Sequence, residues 1–107
     1  MSASFVSGLR ARSQTIVLAE GEETIAIRVE MPEVWDAVRV VVFPRERVLT
    51  VKEKALAALY PEADTPGDFV LKLAGWEILD ESVSLADAGV VDDSILLLTF
   101  RRRRAVR

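Results

Sequence analysis

Seventeen carboxylates, with no histidine and no cysteine, set the limits on what this 107-residue sequence can do chemically. Without His, the commonest general base and the commonest zinc ligand are both missing. Without Cys there is neither a thiolate nucleophile nor a disulfide framework. Acid–base or metal chemistry would have to rest on carboxylates alone. Glu20, Glu22, Glu23, Glu30, Glu33, Asp36, Glu62, Asp64, Asp92 and Asp93 are scattered along the chain, and none has an acid or base partner at a spacing that makes a site. The pair Asp92–Asp93, in Val-Val-Asp-Asp-Ser, reads as a tight turn, because a calcium site needs about six or more oxygens in a defined loop. No nucleophile elbow, phosphate loop or dinucleotide fingerprint occurs. The sequence reads as non-enzymatic, with no catalytic residue, no cofactor and no metal.

Binding is the chemistry that remains, and two tryptophans and a block of arginines carry it. Trp76 follows an Ala-Gly turn, and its neighbours do not obviously bury it. It is either a partly buried hairpin aromatic or an anchor for a protein partner, a role in which Trp is enriched. Trp35 stands in an earlier turn. It either plugs the end of the core or forms an exposed apolar patch with Ile95 and Leu97, beside the basic residues Lys72 and Arg101.

The stretch Ser-Ile-Leu-Leu-Leu-Thr-Phe runs straight into Arg101, Arg102, Arg103 and Arg104. Residues 101–107 carry +5 in all, so the net charge of −3 leaves −8 on residues 1–100. The arginines read as a solvated tail, as a contact for an acidic partner or for the chain's own acidic body, or as a nucleic-acid contact. The acidic body repels phosphate and no aromatics interleave the basic block, which argues against nucleic acid.

The elements that would position these residues follow from periodicity. Residues 1–13 are small, polar and basic without a period, and read as an arm. Gln14–Glu20 is strand-like, and Gly21–Glu23 a turn. Thr24–Met31 alternates, with Ile25, Ile27, Val29 and Met31 on one face. Residues 32–37 break the pattern as a turn. Val38–Phe43 alternates again, with Val38, Val40 and Val42 inward, and Pro44 ends it.

One helix is expected over about residues 51–60. Thr50 and Glu53 make a capping box, Val51, Ala55, Leu56 and Leu59 form the apolar stripe, and Pro61 stops it. Phe69–Gly75 is a strand and Trp76 begins a short return strand. Residues 84–90 form a helical turn that Ser84 caps, with Asp87 at the third position and Gly89 as the left-handed exit. Ile95–Phe100 is the last strand, with Leu96 and Leu98 inward. Val38, Val40, Val42, Leu56, Leu71, Leu96 and Leu98 are the expected core. One helix on a mixed sheet of four or five strands is a two-layer α+β domain.

Two stretches resemble the ubiquitin-like β-grasp superfamily. Val-Val-Val-Phe-Pro-Arg-Glu-Arg-Val-Leu-Thr-Val-Lys-Glu-Lys matches the family's second strand, the Pro after it and the start of its helix, with Thr50, Val51 and Lys52 in register. From Leu71 onward, Ala74, Gly75, Leu79, Asp80, Leu85, Asp87, Val90, Leu96 and Leu98 fill the spaced positions of the family's second half, with about one extra residue near Ile78. The resemblance covers roughly residues 24–104. It implies an arm over residues 1–23 with the strand-like segment 14–20, a ubiquitin-like domain over 24–100, and a basic C-terminal tail over 101–107.

Ubiquitin-like modifiers are conjugated through a diglycine whose lack of side chains lets it enter an activating enzyme. Here no Gly follows Gly89. Lys72 stands where ubiquitin's docking face carries an Ile, and Trp76 stands where a lysine follows the Ala-Gly pair.

The chain is therefore identified as similar to bacterial-type ubiquitin-like proteins without the diglycine, such as β-grasp proteins of type VII secretion systems and accessory subunits of multicomponent monooxygenases. The resemblance implies a non-conjugated protein-binding module or accessory subunit, its partner contacted through Trp35, Lys72, Trp76, Ile95, Leu97, Arg101, Arg102, Arg103 and Arg104. The alternative it implies is a protein modifier of a bacterial conjugation-type pathway with an atypical C-terminus.

No apolar run approaches the roughly 20 residues that span a bilayer, and the opening residues lack a secretory signal pattern. A cytoplasmic location without membrane contact is expected. The segment 14–20 has no free edge beside Thr24–Met31, whose two sides are both taken in a β-grasp sheet. Its apolar residues must bend to an open edge, pack on a face, or join the sheet of a second protomer as a homodimer.

Overall fold

The computed structural model describes residues 14–63 and 65–101. Six strands and one helix follow one another in the order expected of a two-layer α+β domain. The strands are β1 (Gln14–Val17), β2 (Ile25–Met31), β3 (Asp36–Val42), β4 (Phe69–Leu73), β5 (Trp76–Glu77) and β6 (Ile95–Phe100), and the helix α1 (Val48–Leu59) lies between β3 and β4. They form one mixed sheet in the spatial order β1-β3-β2-β6-β4-β5. The antiparallel hairpin β2–β3 and the parallel pair β2–β6 make its centre.

The alternating apolar residues of β2, β3, β4 and β6 all bury against α1. Val29, Met31, Val40, Val42, Leu71, Leu96 and Leu98 are fully inaccessible, joined from the helix by Val48, Val51, Ala55 and Leu56. All seven expected core residues lie in the observed core. Among the described residues no helix is long and apolar enough to cross a membrane.

The sheet is wider than expected, and the reason is β1. It pairs in parallel with β3, Gln14 beside Val38 and Val17 beside Val41. The Leu18 amide extends the pairing to the Val41 carbonyl at 2.8 Å. The segment thus bends to the open edge of its own sheet, β3 lying between it and β2. The strand ends at Val17, shorter than the expected 14–20, and no second protomer is required to cover Ile16.

The hairpin turn is also tighter than expected. Residues 32–34 form one 3-10 turn, and Trp35 takes a left-handed conformation at φ 51°, its amide bonded to the Pro32 carbonyl. That single left-handed residue reverses the chain, so Asp36 and Ala37, expected in the turn, already pair with Met31 and Glu30.

The helix starts three residues before the expected position, and Thr50 is not its cap. Position 47 precedes the first turn and no side chain caps it. The unpaired amides of a helix start need acceptors, and backbone supplies them. Val48 donates to the Val83 carbonyl at 3.0 Å and Leu49 to that of Glu81 at 2.9 Å. A capping box is unnecessary where another segment docks on the helix start.

At the turn 84–90 the expectation holds. Ser84 Oγ accepts from the Asp87 amide at 3.0 Å, and Gly89 exits at φ +92°. The position assigned to Leu79 is instead filled by Ile78, which packs on the core and donates its amide to the Leu71 carbonyl. Leu79 is 82% exposed, so the extra residue lies after Ile78.

Candidate protein-binding surface

Helix α1 covers one face of the sheet, and the register defines the other. Directly paired residues share a face. Lys72 is opposite Leu97, which lies beside Glu30, which is opposite Ala37. One step along, Ile95 lies beside Arg28, and Arg28 is opposite Arg39. The uncovered face therefore carries an apolar centre of Ile95 and Leu97, with Arg28, Arg39 and Lys72 around it. Arg28 and Arg39 are like charges directly across the hairpin, an arrangement that weakens a sheet. Glu30 relieves it by accepting from Arg28 Nε at 2.8 Å.

Trp35 stands at the rim of this face. It shares a surface hollow with Arg28, Glu30 and Ala37 and is 93% exposed. The alternative in which it plugs the core is corrected: its left-handed backbone at the tip of the hairpin turns the indole outward, beyond the last paired residues.

Arg101 completes the face on the far side. Its guanidinium reaches Glu77 at 3.0 Å and the Gly67 carbonyl at 3.3 Å, and its amide donates to the Asp68 carbonyl at 2.7 Å. Because β4 lies between β6 and β5, this link crosses β4 on the face that carries Lys72. Val70, on the same face, is only 2% exposed. Arg101 is thus part of the folded surface. Arg102, Arg103 and Arg104 lie outside the described residues.

Trp76 does not join this patch. The Ala74–Gly75 turn has both residues left-handed, at φ 53° and 88°, which is the two-residue hairpin geometry that makes the flanking residues partners. Those partners are Leu73 and Trp76. Leu73 packs towards the core, so Trp76 points to the helix side, where it lines a separate groove with Leu73, Ile78, Val83 and Ala88. The reading of Trp76 as a partly buried hairpin aromatic is also corrected, since it is 77% exposed.

Three interactions that hold the surface in shape have no signature in the sequence. The Glu33 carboxylate accepts from Thr99 Oγ1 at 2.5 Å and from the Phe100 amide at 3.2 Å, clipping the Trp35 turn to the end of β6. Partial burial would raise the Glu33 pKa, but these bonds, with its own amide, outweigh it and hold the carboxyl below its ordinary value. Asp92 Oδ1 accepts from the Ala26 amide at 2.8 Å, fixing the turn before β6 to the start of β2. Lys52 bonds Glu81 beneath β4. Each joins residues far apart in sequence, and no local spacing announces it. Among the described residues no three acidic side chains gather as metal ligands.

No protein-family model matches this sequence, and no curated protein matches it. Solved structures do match. The ubiquitin-like domain of an Arabidopsis thaliana protein aligns with a TM-score of 0.63 at 21% identity, over 84% of this chain and 92% of that one. Caldiarchaeum subterraneum ubiquitin aligns with a TM-score of 0.61 at 20% identity, over 77% of this chain and 99% of its own. A designed protein based on ubiquitin gives 0.62 at 18% identity, over 81% and 100%. With the helix on one face, the parallel β2–β6 centre and these neighbours, the chain has the ubiquitin-like β-grasp fold.

Proposed function

We propose that the chain is a non-catalytic ubiquitin-like module, an accessory subunit that binds a protein partner through the uncovered sheet face and the arginines that follow β6, without being conjugated. The observation that carries the reading is the cross-strand register that sets Leu97 beside Lys72 and Ile95 beside Arg28, on a face that no described element covers. An apolar centre within a charged rim is the usual make-up of an interaction hot spot. The exposed Trp35 at its margin adds an aromatic anchor.

The reading is tested by affinity capture with the intact chain and with Leu97→Glu, both checked for folding by circular dichroism. A partner retained by the first and lost by the second supports it. An isopeptide-linked product of the intact chain would replace it with the modifier reading.

A further inference from the structure

The groove around Trp76 lies on the other side of β5 from the sheet-face patch and has a different chemistry. Leu73, Ile78, Val83 and Ala88 form an apolar floor, each partly buried on the core, and Ala74 and Trp76 form one wall. The charged lining residues are all acids: Glu77, Asp80 and Asp87. Glu77 already holds Arg101. Among the described residues neither Asp80 nor Asp87 lies within ion-pair distance of a cation. Asp80 is fixed in place, accepting from both the Ser82 hydroxyl and the Ser82 amide.

An indole face beside free carboxylates suits a guanidinium or ammonium, which gains both cation–π attraction and charge-assisted hydrogen bonds. The apolar floor suits an aliphatic neighbour of that cation. We infer that the Trp76 groove is a docking site for a cationic peptide segment of a partner protein, one in which Arg or Lys alternates with an aliphatic residue. The cation stacks on Trp76 and pairs with Asp80 and Asp87, while the aliphatic side chain lies on Leu73, Ile78 and Val83.

This rests on reading the chain as a binding module, but it does not use the sheet face, so the two fail separately. The full chain carrying Trp35→Phe leaves Trp76 as the sole indole, and its emission can be followed during titration with a short peptide alternating arginine and leucine. Saturable change is expected, weakening as salt rises. Asp80→Asn with Asp87→Asn should lower the affinity about tenfold with unchanged circular dichroism, and Leu97→Glu should leave it unchanged.

Equal binding of a peptide alternating glutamate and leucine would overturn the inference, as would an unaffected double variant or no response to the basic peptide. So would a large gain in affinity on removing residues 102–107, which would assign the groove to this chain's own arginines. If Leu97→Glu fails to release the sheet-face partner while the titration behaves as expected, the proposed function falls and the groove stands.

Discussion

The Lys52 ammonium lies 2.8 Å from both carboxylate oxygens of Glu81 and 2.9 Å from the Phe69 carbonyl. Lys52 is 1% exposed and is the one buried charge among the described residues. It ties the middle of α1 to the start of β4 and to the loop that feeds acceptors to the helix start. Glu81 itself keeps some contact with water.

Stranding the buried ammonium should therefore cost more than removing it. Glu81→Ala leaves an ammonium buried with one partner, and a loss towards the lower end of about 3–5 kcal/mol is expected. Lys52→Met keeps the volume and removes the buried charge, and should cost less, because the Glu81 carboxylate it leaves unpaired still reaches water. Urea unfolding of both variants checks the order. A Lys52→Met loss larger than that of Glu81→Ala would mean that the ammonium's bonds, rather than its charge, hold the helix.

Leu56 and Leu96 belong to the two facing layers of the core, and both are inaccessible or nearly so. Leu56→Ala or Leu96→Ala should cost about 2–5 kcal/mol, read by thermal or urea unfolding. A loss well below about 1 kcal/mol at both would contradict the packing.

Glu33 gives the fold a defined pH response. Its folded-state carboxyl titrates below its ordinary value, so the stability it contributes is present above that ordinary value and is lost as pH falls through the folded pKa. Glu33→Gln should lower Tm at neutral pH, and the gap to the parent chain should close on acidification. A gap that stays constant between neutral and acid conditions would show that the Glu33–Thr99 clip contributes nothing through its charge.

Trp35 strains the backbone without filling the core. A non-glycine residue in the left-handed region is disfavoured by roughly 1 kcal/mol, and this one is exposed. Trp35→Gly should leave stability unchanged or slightly raised while weakening partner binding. A substantial fall in Tm would return Trp35 to a structural role.

The layers of the fold were legible in the sequence and the junctions were not. Period-two alternation in Thr24–Met31 and in Val38–Phe43 is a local property, so the inward faces of β2 and β3 could be read directly. Ser84 and Gly89 marked their turn for the same reason. The helix start could not be read, because the groups that cap it belong to residues 81 and 83. The place of β1 could not be read either, because exclusion from the sides of β2 left an open edge, a sheet face and a second protomer all available, and the pairing with β3 selects the first.

The face that Trp76 occupies was available in the sequence, since a two-residue Ala-Gly turn makes Leu73 and Trp76 partners, and Leu73 alternates with the inward Leu71. Proximity to the turn says nothing about side, whereas parity does. Of the expected surface residues, Lys72, Ile95, Leu97, Trp35 and Arg101 come together on or around one face, and Trp76 stands apart.

The central claim is that this uncovered face is where a partner binds. The most direct measurement is a nuclear magnetic resonance titration of the isotope-labelled chain with the captured partner. The shifted amides should cluster at Arg28, Lys72, Ile95 and Leu97, and the shifts should vanish in Leu97→Glu. Shifts confined to α1, with the sheet face silent, would contradict it.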